Sequence, residues 1–153
     1  ETDIWAPAIL HDIGKMVYLK FFPEHYHAIQ EFCKKQGCLC SEAEEKLQLP
    51  SSAYLGTLLC HHWNLPETVR HACETHTFAD LKNEHEGAPL TPLTKIITIA
   101  KLMVLLLTRK LTKEKQAEIS DTICSSLKIK RKKFLEDMGK IYELKEEVAT
   151  FTP

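Results

Sequence analysis

Glycine and proline are scarce in this chain, 5 and 7 of 153 residues, and no window repeats at a fixed period. Collagenous, low-complexity and repeat-array architectures are thereby excluded. The most apolar stretch, Ile96 to Leu107, is interrupted by Lys101 and falls short of the roughly 20 residues a membrane span needs. Charge of one sign is also missing: 20 basic and 21 acidic residues leave a formal net charge of -1, so nothing global draws the chain to nucleic acid or to an anionic membrane. The first residues, Glu-Thr-Asp-Ile-Trp, lack the basic start and apolar run of a signal peptide, and a cytoplasmic location is expected. Cysteine is too thin for a disulfide scaffold. The six (Cys33, Cys38, Cys40, Cys60, Cys73, Cys124) are read as reduced thiols.

What is present is apolar material, 44% hydrophobic against 27% charged residues. A chain of about 150 residues with such content buries roughly 70% of its unfolded surface, which excludes disorder and points to a single domain over residues 1–153. No strict apolar/polar alternation runs far enough for a strand, so an all-α bundle of about six to eight helices is expected. Asp3 is placed to cap a first helix that contains Pro7 and ends near His11 and Asp12, with Gly14 permitting a sharp exit. Pro23 suits the start of a helix that stops near Gly37. Ser41 with Glu44 fits a capping box for a short acidic helix, and Pro50, Ser51 and Ser52 open the next, with Leu55, Leu58 and Leu59 as its apolar face. Trp63-Asn64-Leu65-Pro66 makes a corner before a helix reaching about His76, and residues 77–89 read as the longest loop. Thr91-Pro92 starts a helix whose all-round hydrophobicity from Ile96 to Leu107 places it at the centre. Two amphipathic helices close the chain, one carrying Ile119, Ile123 and Leu127, the other Phe134, Leu135, Met138, Ile141 and Tyr142.

The sharpest local feature is Ile9-Leu10-His11-Asp12-Ile13-Gly14-Lys15. Neutral imidazole and ionised carboxylate are good ligands for Mn, Fe or Zn, and a metal held by them could polarise a phosphate or activate water. The plain structural alternative is a hydrogen-bonded pair, with Asp12 accepting from nearby amides and His11 donating one bond. Cys33, Cys38 and Cys40 lack the usual Cys-x2-Cys spacing of a zinc knuckle. His61 and His62 fall on different helix faces, both partly exposed. Lys128, Lys130, Arg131, Lys132 and Lys133 read as a solvated helix start opposite Glu136 and Asp137 rather than as a nucleic-acid site.

The segment around His11-Asp12 resembles the signature of the HD superfamily of metal-dependent phosphohydrolases. It is followed in order by Phe22-Pro23-Glu24-His25-Tyr26, an acidic short helix, Tyr54-Leu55-Gly56-Thr57-Leu58-Leu59, Trp63-Asn64-Leu65-Pro66-Glu67 and His76. This succession resembles the HDOD domain, the HD-related output domain of bacterial signalling proteins, over roughly residues 4–110. The Trp-x-Leu-Pro corner is its most telling part. The resemblance implies a metal held by His11 and Asp12, and a ligand pocket with Lys15 and His76.

Departures from the family pattern set the functional expectation. An earlier helix that supplies a His in HD enzymes would precede Glu1, so the family's N-terminal helices are expected to be missing here. Ala100-Lys101 stands where the family carries Ala-Asp, Ser52 where a His is placed, and His76-Thr77 where a His-His pair is usual. An ammonium cannot replace a carboxylate as a metal ligand, and it repels a nearby metal. Lys15 is similar to the phosphate-contacting Lys of HD-GYP phosphodiesterases, yet no Gly-Tyr-Pro segment is present, which argues against cyclic-dinucleotide hydrolysis. Placed near a helix C-terminus, Lys15 would instead favour the helix dipole. The expectation is a non-catalytic signal-transduction domain with a degenerate metal site, no assigned catalytic residue and no certain cofactor. Its partners would be other signalling proteins, or a second copy of itself, and neither a membrane nor nucleic acid. The alternative is a metal-dependent phosphohydrolase. Lys101 discriminates: within about 4 Å of Asp12 it would form an internal ion pair in place of a metal.

Overall fold

Side-chain oxygens and prolines decide where most helices of this protein start. The computed structural model describes residues 4–84 and 90–150, which form ten α-helices and, among the described residues, no strand. The fold is all-α, with more helices than the sequence pattern suggests. The Asp3 cap lies outside the described residues, and Ile4 at the N-cap of α1 (Trp5–Leu10) makes no side-chain cap bond. His11 and Asp12 form a two-residue elbow to α2 (Ile13–Phe21), with Asp12 at φ -99° and ψ 16°.

Gly14 is not an exit from a helix. It lies in the first turn of α2, where its missing side chain lets α2 pack directly on α5 (Ser52–His62). Pro23 opens α3 (Pro23–Gln36), and Gly37 ends it in the left-handed region at φ 61°. At that turn Thr112 N–H donates to the Gly37 carbonyl at 3.0 Å, tying the end of α3 to the start of α9 (Lys113–Leu127).

The cap of α4 (Cys40–Lys46) differs from the Ser41–Glu44 reading. Glu42 accepts the Leu39 N–H at 2.9 Å, which frees Glu44 to turn inward, 2% exposed, and accept the Ser52 N–H at 2.9 Å. Ser51 caps α5 as expected, accepting from Tyr54 N–H. The buried face of α5 is not the leucine stripe but the small residues Ser52, Ala53, Gly56 and Cys60, while Leu58 is exposed. Small side chains bring three helices close together here: α2 and α6 (Glu67–Glu74) pack on α5, and α6 on α1. Asn64, at φ 52°, turns the corner into α6, which ends at Glu74, before His76.

Part of the expected loop after His76 is α7 (Phe78–Lys82). Thr77 Oγ1 accepts from Asp80 N–H, and Asp80 Oδ2 accepts the Thr77 N–H at 2.8 Å. Residues 85–89 of that loop lie outside the described residues. Thr91 caps α8 (Pro92–Thr108), with Pro92 at its first position. This helix is not buried all round: Ile97, Thr98, Ile99, Leu102 and Met103 point inward, whereas Ile96 and Val104 are exposed. On α9, Ile119 and Ile123 are fully buried but Leu127 is exposed, and on α10 (Arg131–Thr150) Phe134 is buried while Leu135 and Tyr142 are exposed.

Three apolar clusters result. One joins α7, α8, α9 and α10 through Phe78, Leu102, Ile119, Ile123 and Phe134. A second joins α2, α3 and α4 through Tyr18, Ile29, Cys33 and Ala43, and a third joins α5 and α6 through Cys60, Val69 and Cys73. The polar residues of the candidate site lie where these clusters meet. No helix among the described residues is long and apolar enough to cross a membrane.

Candidate functional site

The elbow between α1 and α2 carries His11 and Asp12, the turn after α6 carries His76, and α8 carries Lys101. The fold brings all four together with Lys15. His11 Nδ1 lies 2.7 Å from the Ala8 carbonyl and donates to it, which directs Nε2 toward Asp12 Oδ2 at 3.6 Å. His76 is 2% exposed, and its two ring nitrogens both face acceptors: Nδ1 the Cys73 carbonyl at 2.8 Å, Nε2 Asp12 Oδ1 at 3.0 Å. The two imidazoles meet edge to face, centroids 5.2 Å apart.

Two ammonium groups occupy the rest of Asp12. Lys15 Nζ donates to Oδ2 at 2.6 Å, and Lys101 Nζ to Oδ1 at 3.0 Å. Lys101 thus lies inside the 4 Å that separates an internal ion pair from a solvent-directed side chain. Burial alone would raise the Asp12 carboxyl, but the His76 hydrogen bond and the charges of Lys101 and Lys15 outweigh it and hold the group well below the usual carboxylate range. Burial pushes His11 below its ordinary value despite Asp12 beside it. Burial, with repulsion from Lys15, also lowers Lys101, and the Asp12 carboxylate opposes that.

A divalent metal does not fit this arrangement. Two imidazoles and a carboxylate are suitable donors, but each Asp12 oxygen already has an ammonium at hydrogen-bond distance, and a metal there would meet that charge directly. Among the described residues, no group of three or more His, Cys, Asp or Glu is arranged to hold a metal ion. Asp80 turns back to Thr77 and does not complete the set. Lys15 is in the first turn of α2 rather than near a helix C-terminus, so it serves Asp12 and not a helix dipole.

Openings lie on two sides of the ion pair. A cavity of about 280 Å³ has Lys15, His76, Lys101, Cys40 and Arg109 in its wall. On the α1–α8 side, Ile4, Ala8, Ile96 and Val104 flank His11 and Asp12 in an apolar groove. Cys40, Glu44 and Arg109 were not among the residues singled out for the site. Glu44 had a sequence signal, but as a cap, and Cys40 only as one of three cysteines without zinc-knuckle spacing; Arg109 had none, since the proximity of all three depends on packing across α3, α4 and α8. Elsewhere, His61 and His62 are exposed, with His61 Nδ1 3.1 Å from Arg70. The basic run is exposed, with Arg131 paired to Asp121 and Lys133 to Asp137.

The helical bundle thus places His-Asp at a helix elbow, a Lys one turn on and a buried His across from it. The HDOD domain family model matches residues 2–78, about half of the chain, and the protein belongs to the HDOD domain family. No curated protein and no solved structure matches it.

Proposed function

We propose that this protein is a non-catalytic signal-transduction domain of the cytoplasm, one helical domain over residues 1–153, in which Lys101 balances Asp12 where a bound metal would otherwise do so. The Lys101–Asp12 contact at 3.0 Å carries this reading. It is supported by the second ammonium on the same carboxylate and by the apolar groove beside it, where Ile4, Ile96 and Val104 are 38%, 56% and 49% exposed. A large apolar surface on a folded domain favours contact with another chain, here a signalling partner or a second copy. His11, Asp12, Lys15 and His76 then form a vestigial pocket, and a partner that shifts α1 would act on the Asp12 elbow and through it on α8.

One observation favours the second reading, a metal-dependent phosphohydrolase. Both histidines have Nδ1 against a backbone carbonyl, the posture that fixes metal-ligating imidazoles. His11 and Asp12 would then be metal ligands, His76 would orient the site, and Lys15 would hold a phosphate. Elemental analysis separates the readings, using protein purified without chelator and again after incubation with Mn, Fe and Zn. Sub-stoichiometric metal, unchanged in Asp12→Ala and increased in Lys101→Asp, is expected. Near-stoichiometric metal in the wild type that disappears in Asp12→Ala would overturn the non-catalytic reading.

A further inference from the structure

Six free thiols lie in this chain: Cys60 and Cys73 form a close pair, and Cys33, Cys38 and Cys40 gather at the wall of one cavity. Cys60 and Cys73 have sulfurs 3.4 Å apart, but both are fully buried. Cys73 Sγ also donates to the Leu10 carbonyl, and burial pushes its thiol up to about 12. A neutral thiol without solvent access is inert. Cys33 and Cys40 have sulfurs 3.7 Å apart, and although Cys33 is also buried, Cys40 is only partly so.

Cys40 is half-buried at the start of α4 and opens on the 280 Å³ cavity together with Cys33, Lys15 and Arg109. Its sulfur accepts from the Cys33 thiol and, at 3.8 Å, from Gln30 Nε2. Gln30 is itself held by Arg109, whose Nη1 donates to Gln30 Oε1 at 2.9 Å and so turns the amide nitrogen toward Cys40. Every one of these contacts favours negative charge on the Cys40 sulfur. The Cys33 hydrogen bond, with Lys15 and Arg109, lowers the Cys40 thiol to about 6 against the opposing effects of burial and of Glu44. The same hydrogen bond, together with burial, pushes Cys33 up, so that Cys33 keeps its proton. A cavity-facing thiolate beside a protonated thiol in sulfur–sulfur contact is the arrangement of an attacking and a resolving cysteine.

We infer that Cys40 and Cys33 form a hydroperoxide-responsive site, at which Cys40 is oxidised and Cys33 closes an intramolecular disulfide. In the first step the Cys40 thiolate attacks the outer oxygen of a hydroperoxide. A sulfur–oxygen bond forms, the oxygen–oxygen bond breaks, and the leaving alkoxide (hydroxide, for hydrogen peroxide) takes a proton from water. Cys40 is now a sulfenic acid. In the second step the Cys33 sulfur attacks the Cys40 sulfur, the sulfur–sulfur bond forms, and the hydroxyl leaves as water with the Cys33 proton. Two thiols are oxidised and one hydroperoxide is reduced to an alcohol or water. The sulfurs need only close from contact to bonding distance, and the turn between them, with Gly37 at its first position, joins the end of α3 to α4.

The test uses the whole reduced chain with hydrogen peroxide as the probe, and peptide mass mapping as the readout. A Cys33–Cys40 linked peptide with two hydrogens lost is expected, with Cys60 and Cys73 still reduced. In Cys33→Ser the sulfenic acid at Cys40 persists and is captured by a cyclic 1,3-dione. Competitive alkylation of the wild type with isotope-coded iodoacetamide ranks the thiols without any variant, and Cys40 is expected to react at least about tenfold faster than the half-buried Cys124. Alkylation of Cys40 no faster than Cys124, a disulfide that maps to Cys38–Cys40, or peroxide consumption confined to Cys124 would each overturn the proposal.

Discussion

Gly14 and Ser52 face each other across the α2–α5 contact so closely that a Cβ built on Gly14 would lie 1.7 Å from the Ser52 carbonyl oxygen. The same Cβ would lie 2.7 Å from the Gly56 nitrogen. Both obstacles are backbone, which cannot swing aside as a flexible side chain can. The approach fixes the first turn of α2, and with it Asp12 on one side of Gly14 and Lys15 on the other.

Gly14→Ala therefore forces α2 away from α5. Overpacking of this kind costs about 3 kcal/mol or more, and urea denaturation should show it as a lower midpoint. Gly139, in α10, is the matched control, with no atom within 4 Å of its built Cβ. Gly139→Ala should stabilise by about 0.5–1 kcal/mol, because alanine loses less backbone entropy in a helix. A Gly14→Ala protein as stable as the wild type would refute the close approach.

Asp12 serves two ammonium groups and an imidazole at once, so its loss should cost more than the loss of any one partner. Asp12→Asn leaves Lys15 and Lys101 beside each other without a balancing charge, at about 2 kcal/mol or more, after allowance for the partial exposure of the site. Lys101→Met should cost less, since methionine fills the same space and Asp12 keeps Lys15 and His76. The double variant should recover part of the Asp12→Asn loss. A double-mutant cycle on unfolding free energies measures that coupling, and strict additivity would show that Lys101 and Asp12 do not interact.

Acidification should weaken the fold, beginning near the ordinary histidine value. His11 in the folded protein titrates below 6.5 because of burial, so between that value and its lower folded one the unfolded chain takes up a proton that the folded chain refuses. Stability falls across this window and the loss is complete once pH lies below both. Asp12 acts further down: its contribution is present above the ordinary carboxylate value of 3.8 and is lost as pH drops below it. Urea midpoints measured from pH 8 to pH 4.5 should decline in the wild type, and His11→Asn should flatten the decline. An unchanged slope in that variant would place its cause elsewhere.

Helix starts were legible wherever a local group decides them: Pro23, Ser51 and Thr91 act on backbone within three residues, and Gly37 ends α3 through its own φ. Lys101 was legible as the residue on which the site turns only through the family resemblance, since it stands where the resembled pattern carries an Asp. What escaped depends on packing. Gly14 reads as a turn residue until α5 is laid across it. Glu44 reads as a cap for its own helix, but Glu42 takes that role and Glu44 caps the next. α7 has a readable Thr77–Asp80 cap but only one turn of helix behind it, too short for apolar periodicity to register. The exposure of Ile96 and Val104 likewise follows from which faces of α8 the neighbouring helices reach, and the Cys33–Cys40 contact from how α3 folds back on α4.

The segment that defines membership of the family ends at residue 78, and α8 begins only at Pro92. His11, Asp12 and His76 are inside that segment; the side chain that sets the electrostatic character of their cluster is 23 positions past its end, by subtraction of 78 from 101. Sorting related sequences by the matched segment alone would therefore leave the position of Lys101 unscored. The charge that balances Asp12 thus comes from a part of the chain that family membership does not specify.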